Sequence, residues 1–274
     1  MMKTRIIPSS GEELPVIGLG TWQTFDFANH QLNPLLENVL RKLQTAGGKL
    51  IDSSPMYGRS EQVIGKIVSH IDIPTDFFYA TKVWTNGLQE GIRQMENSMR
   101  KMRRTTMDLM QIHNLTDWKT HLPVLQDWKE QGKIRYIGIT HYTDSSHEAL
   151  EKILSTEKID FVQFNYSIDS RHAEKRLLDA ASDLGVATLI NRPFGEGSLF
   201  KKVEGKVLPP WALELNIENW SAFFLKYIIA HPAVTCVIPA TANPQHAAEN
   251  LKSGTGYLPD MIVRKKMTDY LNKL

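Results

Sequence analysis

The sequence predicts an α/β fold, a (β/α)8 TIM barrel with an N-terminal β-hairpin closing the barrel floor. Three observations carry this. Eight short apolar, β-rich runs recur along the chain, and several are near-continuously apolar, as parallel strands covered on both faces must be. Stretches with helical periodicity lie between them. The strand–helix unit repeats about every 30 residues, the rhythm of a closed barrel.

In order, the segment Met1 to Glu13 places Ser9-Ser10-Gly11 between Ile6-Ile7 and Leu14-Pro15-Val16, a hairpin pattern. The first four runs are Val16–Leu19, Leu50–Asp52, Phe77–Val83 and Leu109–Ile112. Ile134–Ile139, Phe161–Tyr166, Val186–Ile190 and Val234–Ile238 follow. Leu35, Leu36, Val39, Leu40 and Leu43 share a helical face that Gly47-Gly48 ends. Leu122, Leu125 and Trp128 form a similar stripe. Asp144-Ser145-Ser146 opens a further helix ahead of Leu150, Ile153 and Leu154. Ala173–Leu184 and Glu218–Ala230 continue the series. Between Val186 and Val234 lie 48 positions, so the loop Phe194–Asn216 is expected to be a long lid or clasp.

The composition excludes several classes of function. The chain has 274 residues, 42% of them hydrophobic, and no linker or low-complexity tract, so residues 1–274 are read as one domain. A formal charge of +2 creates no field for nucleic acid or an anionic membrane. No apolar stretch nears the roughly 20 residues that span a bilayer, and the N-terminus has no secretory core. The single Cys236 closes no intramolecular disulfide and reads as a small buried residue. A cytoplasmic protein, monomeric or weakly oligomeric, is expected. No His or Cys spacing suits a metal.

Chemistry concentrates at the run ends, where a barrel keeps its reactive groups. Asp52, Lys82 and His113 end consecutive runs, spaced 30 and 31 positions apart, so all three should project at one rim. Tyr57 follows Asp52 by five residues, in a loop leaning over the barrel mouth. A lysine in so apolar a run needs a partner, which Asp52 can supply. A cation beside a phenol is expected to lower the tyrosine pKa from about 10. Such a tyrosine can give a proton to a carbonyl oxygen while His113 orients that oxygen.

Ile17-Gly18-Leu19-Gly20-Thr21-Trp22 and Leu50–Gly58 resemble the aldo-keto reductase superfamily. So do Ala80–Val83, Gly132–Ile139, and Val237-Ile238-Pro239 with Ala248-Glu249-Asn250-Leu251. The resemblance runs from about residue 4 to 253, and the order and spacing of the motifs make it specific. It implies an NAD(P)H-dependent oxidoreductase, without a metal, that interconverts a small-molecule aldehyde or ketone, or a sugar- or lactone-type carbonyl, and its alcohol. Tyr57 would be the general acid/base, Lys82 and Asp52 its tuning pair, and His113 the orienting residue. Gln163 would bond the nicotinamide carboxamide, with Gly20, Thr21, Thr140, His141 and Thr241 also at the cofactor. Asn191, Arg192, Phe194, Gly197 and Ser198 would wrap the pyrophosphate. Glu249 and Asn250 would flank the adenine. Trp22, Trp84 and Asn114 would line the substrate pocket.

Several positions depart from the family pattern. Thr140-His141 stands where many members have Ser-Asn, Asn191 where many have an aromatic, and Asn114 where an aromatic is common after the histidine. In Pro239–His246 there is no Lys or Arg to grip a 2′-phosphate, so NADP(H) is expected with NAD(H) as the alternative. Two other readings stand beside the reductase. One is a regulatory sensor that binds cofactor with little turnover. The other is a cofactor-free barrel using Lys82 as a Schiff-base amine. Among plainer readings, Gln163 could simply bond backbone, Glu249-Asn250 could be an exposed helix turn, and His141 a loop residue. Arg100–Arg104 suits a helix C-terminus, and Gly18-x-Gly20 opens no helix and is no Rossmann fingerprint.

Overall fold

The computed structural model describes residues 1–28, 33–70 and 76–274. Strands β1 (Thr4–Ile6) and β2 (Glu13–Pro15) pair antiparallel as the expected hairpin. Eight parallel strands follow: β3 (Leu19–Gly20), β4 (Leu50–Asp52), β5 (Phe78–Val83), β6 (Met107–His113), β7 (Ile134–Thr140), β8 (Phe161–Asn165), β9 (Ala187–Asn191) and β10 (Cys236–Val237). They lie side by side in chain order. The first and last are only two residues long, yet they meet. Bridges Ile17↔Val237 and Gly20↔Ala240 join the two edges, with Gly18 N bonded to Val237 O at 2.9 Å and Gly20 N to Pro239 O at 3.1 Å. The close approach needs the glycine: a Cβ at Gly20 would sit 2.7 Å from the Ile238 carbonyl oxygen.

Inside the barrel, Leu50, Phe78, Leu109, Tyr136, Phe161 and Ala187 pack in one cluster. Ile7 and Leu14 of the hairpin join the same cluster, so the hairpin plugs the end at which the strands begin. Its tip is tied down where the Tyr136 hydroxyl lies 2.7 Å from Ser10 Oγ and 2.8 Å from Glu12 Oε2.

Helices form the outer layer. They are α1 (Pro34–Thr45), α2 (Ser60–Val68), α3 (Leu88–Lys101), α4 (Trp118–Glu130), α5 (His147–Thr156), α6 (Leu177–Asp183), α7 (Ser198–Lys202), α8 (Pro210–Glu214), α9 (Trp220–Ile229), α10 (Pro244–Lys252) and α11 (Met261–Leu271). In α1, Asn33 caps the Leu35 amide at 3.0 Å, Pro34 occupies the first turn, and Leu36, Val39, Leu40 and Leu43 face the barrel. Leu35, expected on the same face, is instead exposed at the first turn. The segment after β7 opens as a 3-10 turn at Asp144–Ser146 before α5 begins at His147. The long segment after β9 is not one open loop, because α7 and α8 fold within it. Among the described residues, no helix is long and apolar enough to cross a membrane.

Helices α2 and α3 pack through small and polar residues as well as apolar ones. The buried positions of α3 are Gly91, Met95 and Ser98, and α2 buries Ser60, Glu61 and Gly65 beside Ile64 and Ile67. Gly65 sets their separation: a Cβ there would lie 2.0 Å from the Lys101 carbonyl oxygen. Backbone cannot yield as a side-chain tip does. Gly65→Ala is therefore expected to destabilise the fold by about 1–3 kcal/mol, read as a lowered urea midpoint. An unchanged midpoint would mean that the two helices do not meet at this distance.

Candidate active site

Strand pairing explains why the polar residues converge. Asp52 stands opposite Gly20 and Ala80, Lys82 opposite Gln111, Gln111 opposite Gly138, and Thr140 opposite Gln163. Side chains alternate along a strand, so these positions bring their polar groups to the upper end of the barrel interior. Gly138 leaves the room that Gln111 occupies, since a Cβ there would lie 2.7 Å from Gln111 Cγ.

At the centre is Lys82, with no exposed side-chain surface. Its Nζ donates to Asp52 Oδ2 at 2.6 Å and to the Ser53 carbonyl at 2.7 Å. The other carboxylate oxygen, Asp52 Oδ1, accepts from Gln111 Nε2 at 2.9 Å and Gln163 Nε2 at 3.0 Å. Burial alone would discharge the ammonium, but Asp52 and Tyr57 outweigh it and hold the Lys82 pKa above its ordinary range. A lysine held as an ammonium offers no free amine, which counts against the Schiff-base reading.

Lys82 Nζ lies 4.9 Å from the centre of the Tyr57 ring. Here the expected lowering of the phenol pKa is corrected. Burial drives the Tyr57 pKa upward, Lys82 pulls it down, and Asp52 pushes it up again. The carboxylate that lets Lys82 stay charged also cancels part of its field at the phenol. Tyr57 consequently rests as a neutral hydroxyl. His113 packs edge-on to it, ring centres 5.8 Å apart. Burial, with Lys82 and His141 adding to it, pushes the His113 pKa down to about 2, so the imidazole is neutral. Its Nδ1 lies 3.0 Å from Ser54 Oγ.

Above these groups opens a cavity of about 550 Å3. Gly20, Thr21, Asp52, Tyr57, His113, Thr140, Gln163, Asn191, Arg192, Phe194 and Gly197 line it, as do Trp22, Trp84 and Asn114. Lys82 lies beneath its floor. Other expected residues lie elsewhere. Thr241 and Asn250 border a separate, narrow recess beside β3, and Asn250 Oδ1 accepts from Ser221 Oγ at 2.6 Å. Glu249 accepts from Gln245 on the surface of α10 at 3.0 Å, and Ser198 begins α7. The His141 ring turns back to its own loop, accepting from the Tyr142 amide at 2.9 Å, while its carbonyl accepts from Asn191 Nδ2 at 3.1 Å. Asn191 Oδ1 is left buried without a partner, as are Asn114 Oδ1 and Thr24 Oγ1. All three residues line this cavity.

Gln111, Ser54, Tyr142 and Phe200 belong to the site without having been singled out. A signal existed for Gln111, the one amide inside the apolar run Leu109–Ile112. None existed for Tyr142 and Phe200, loop aromatics that only folding brings to the cavity. Arg192, the one Lys or Arg among the described lining residues, pairs with Glu196 at 2.8 Å and stacks over the Tyr142 ring at 4.3 Å. Among the described residues, no group of three or more His, Cys, Asp and Glu could hold a metal ion.

Known proteins share this arrangement of strands. The methylglyoxal reductase YeaE of Escherichia coli K12 is 25% identical over 258 residues, covering 91% of this chain and 89% of its own length. An aldo-keto reductase of Mycolicibacterium smegmatis is 25% identical over 268 residues, covering 91% and 87%. The crystal structure of a Klebsiella pneumoniae aldo-keto reductase in complex with NADPH superposes with a TM-score of 0.80, covering 99% of this chain and 95% of that one at 21% identity, a likeness of fold. The family model described as Aldo/keto reductase family matches residues 16–265. A match across nearly the whole barrel, strand ends included, means that the chain belongs to the aldo/keto reductase family.

Proposed function

We propose that this oxidoreductase reduces a small-molecule aldehyde or ketone to its alcohol at the expense of a nicotinamide cofactor, with Tyr57 as the proton donor. The observation that carries this reading is the convergence of Tyr57, His113 and the Lys82–Asp52 pair at the floor of one cavity. When bound, the reduced cofactor supplies the hydride that adds to the carbonyl carbon. Residues of the chain serve the oxygen. Tyr57, a neutral phenol at working pH, transfers its proton to that oxygen, and Lys82 stabilises the phenolate left behind.

Ser54 Oγ accepts from the Met56 amide at 3.2 Å, which turns its own hydrogen towards His113 Nδ1. On this assignment from the hydrogen-bond network, the ring proton sits on Nε2, where a neutral imidazole donates to the substrate oxygen.

The cavity suits the cofactor at a particular atom. Asn191 Oδ1, buried and unpartnered, needs a donor, and the amide nitrogen of a nicotinamide carboxamide is one. Gln163 stands on the adjacent strand β8 and Thr140 on β7 beyond it, with Thr140 Oγ1 donating to Gln163 Oε1 at 3.3 Å. Gly20, Thr21, Arg192, Phe194 and Gly197 would hold the rest within the same cavity. Thr241, Ser198, Glu249 and Asn250 would meet only a part that extends beyond it. The NADPH of the Klebsiella protein supports NADP(H), whereas residues 239–246 here contain no Lys or Arg.

Three results are expected. In Tyr57→Phe, turnover of a carbonyl panel with NADPH should fall by about a thousandfold or more, while cofactor still quenches the intrinsic fluorescence. Near-normal turnover would remove Tyr57 as the acid. Titration with NADPH and NADH separately should show saturable binding of at least one. Binding without oxidation across the panel would instead favour the regulatory sensor.

The third concerns acid. The folded pKa of His113 lies below its unfolded value of about 6.5, so the unfolded chain binds this proton more readily. The stability contributed by the neutral ring is full above about pH 6.5 and is lost as pH falls towards 2. Below pH 6.5 the unfolding free energy should drop by about 1.4 kcal/mol per pH unit more in the wild type than in His113→Gln. Equal slopes in urea titrations would mean that the ring is not held neutral.

A further inference from the structure

Asn114 is held in an unusual state directly beside His113. Its backbone φ is +54°, and Leu115 at +56° and Asp117 at +46° are also left-handed. A leucine in that region costs about 1–2 kcal/mol, so the surroundings must hold the segment in place. Asp117 Oδ2 accepts from the Gly87 amide at 2.7 Å, and His121 Nε2 lies 2.7 Å from the Thr85 carbonyl oxygen. Gln94 bonds both the amide and the carbonyl of Trp84. The loop after β6 is thereby pinned to the loop after β5, and their residues Asn114 and Trp84 line the same cavity.

Asparagine tolerates a left-handed backbone better than most residues, which accounts for the residue type. It does not account for Asn114 Oδ1, which is buried with no hydrogen-bond partner. An orphaned acceptor costs about 1–3 kcal/mol until a donor reaches it. Nor do the described lining residues present an uncommitted cation, since Arg192 is paired with Glu196. The missing partner is therefore a donor on the ligand, and an anionic group on that ligand would meet no uncommitted cation.

Resting on the reductase reading above, we propose that Asn114 determines specificity by accepting a hydrogen bond from a hydroxyl on the carbon next to the reacting carbonyl. The favoured substrates are then neutral α-hydroxy carbonyl compounds. Carboxylated or phosphorylated ones find no free positive charge, and plain alkyl carbonyls leave Oδ1 unpaired.

The test uses three ketones. Hydroxyacetone and butanone have the same size, a hydroxyl replacing a methyl. Methoxyacetone keeps the electron-withdrawing oxygen but has no proton to donate. With NADPH and with NADH, the wild type should show kcat/KM for hydroxyacetone about tenfold or more above both others. Glycine adopts a φ of +54° without strain, so Asn114→Gly should fold with an unchanged or higher Tm. In that variant the preference over methoxyacetone should shrink about tenfold. If the wild type reduces all three alike, or Asn114→Gly keeps the preference, the inference is overturned and the reductase stands. If the wild type reduces none of them or any other carbonyl tried, both fall.

Discussion

A lysine with no exposed side-chain surface needs partners that offset its lost hydration, and most of the polar interior follows from that requirement at Lys82. Asp52 supplies a carboxylate, and its second oxygen is satisfied by Gln111 and Gln163 from two further strands. Gln111 in turn needs the space left by Gly138. Removing one member of such a pair leaves a buried charge uncompensated, at about 3–5 kcal/mol. Replacing the whole group with packed apolar residues would be tolerated far better, so stability alone gives no reason for it. What the pair provides is a permanent cation 4.9 Å from the centre of the Tyr57 ring.

The same pair limits that cation's effect. Asp52 offsets part of the Lys82 field, and burial governs the phenol, raising its pKa. The imidazole of His113 is discharged by the same exclusion of water, with the lysine adding to it. Tyr57 and His113 are thus both neutral, and the Lys82 ammonium lies beneath them, compensated by Asp52. This division suits a site that donates hydrogen bonds and a proton to an oxygen as negative charge develops there.

Around this rigid floor, strain gathers at the rim. Gln23, Asn114, Leu115, Asp117, Arg192 and Glu196 are non-glycine residues with left-handed backbones, all in loops that follow β3, β6 or β9. The strands place the reacting groups, and the loops pinned over them shape what enters. Loops can vary without disturbing the Lys82 layer, because the barrel closes through strand contacts and the hairpin rather than through the rim.

The eight strands were legible because parallel strands buried on both faces leave apolar runs, and Asp52, Lys82 and His113 because they end consecutive runs at even spacing. The family resemblance extended that reading to Gln163, Asn191 and the cavity's tryptophans. How α2 and α3 meet was not legible, since glycine, serine and glutamate share their buried faces with the apolar residues. Nor was the outward turn of the His141 ring, the direction of the Tyr57 shift, or the unpaired oxygens of Asn114 and Asn191. By itself the sequence determined the order of the strands and which residue types stand at their ends, for these follow from local periodicity and spacing. Only the tertiary structure decided which polar atoms are paired, which are charged and which are left facing the cavity. Those states depend on distances of a few ångströms between strands and loops far apart in the chain, and on the water that their packing excludes.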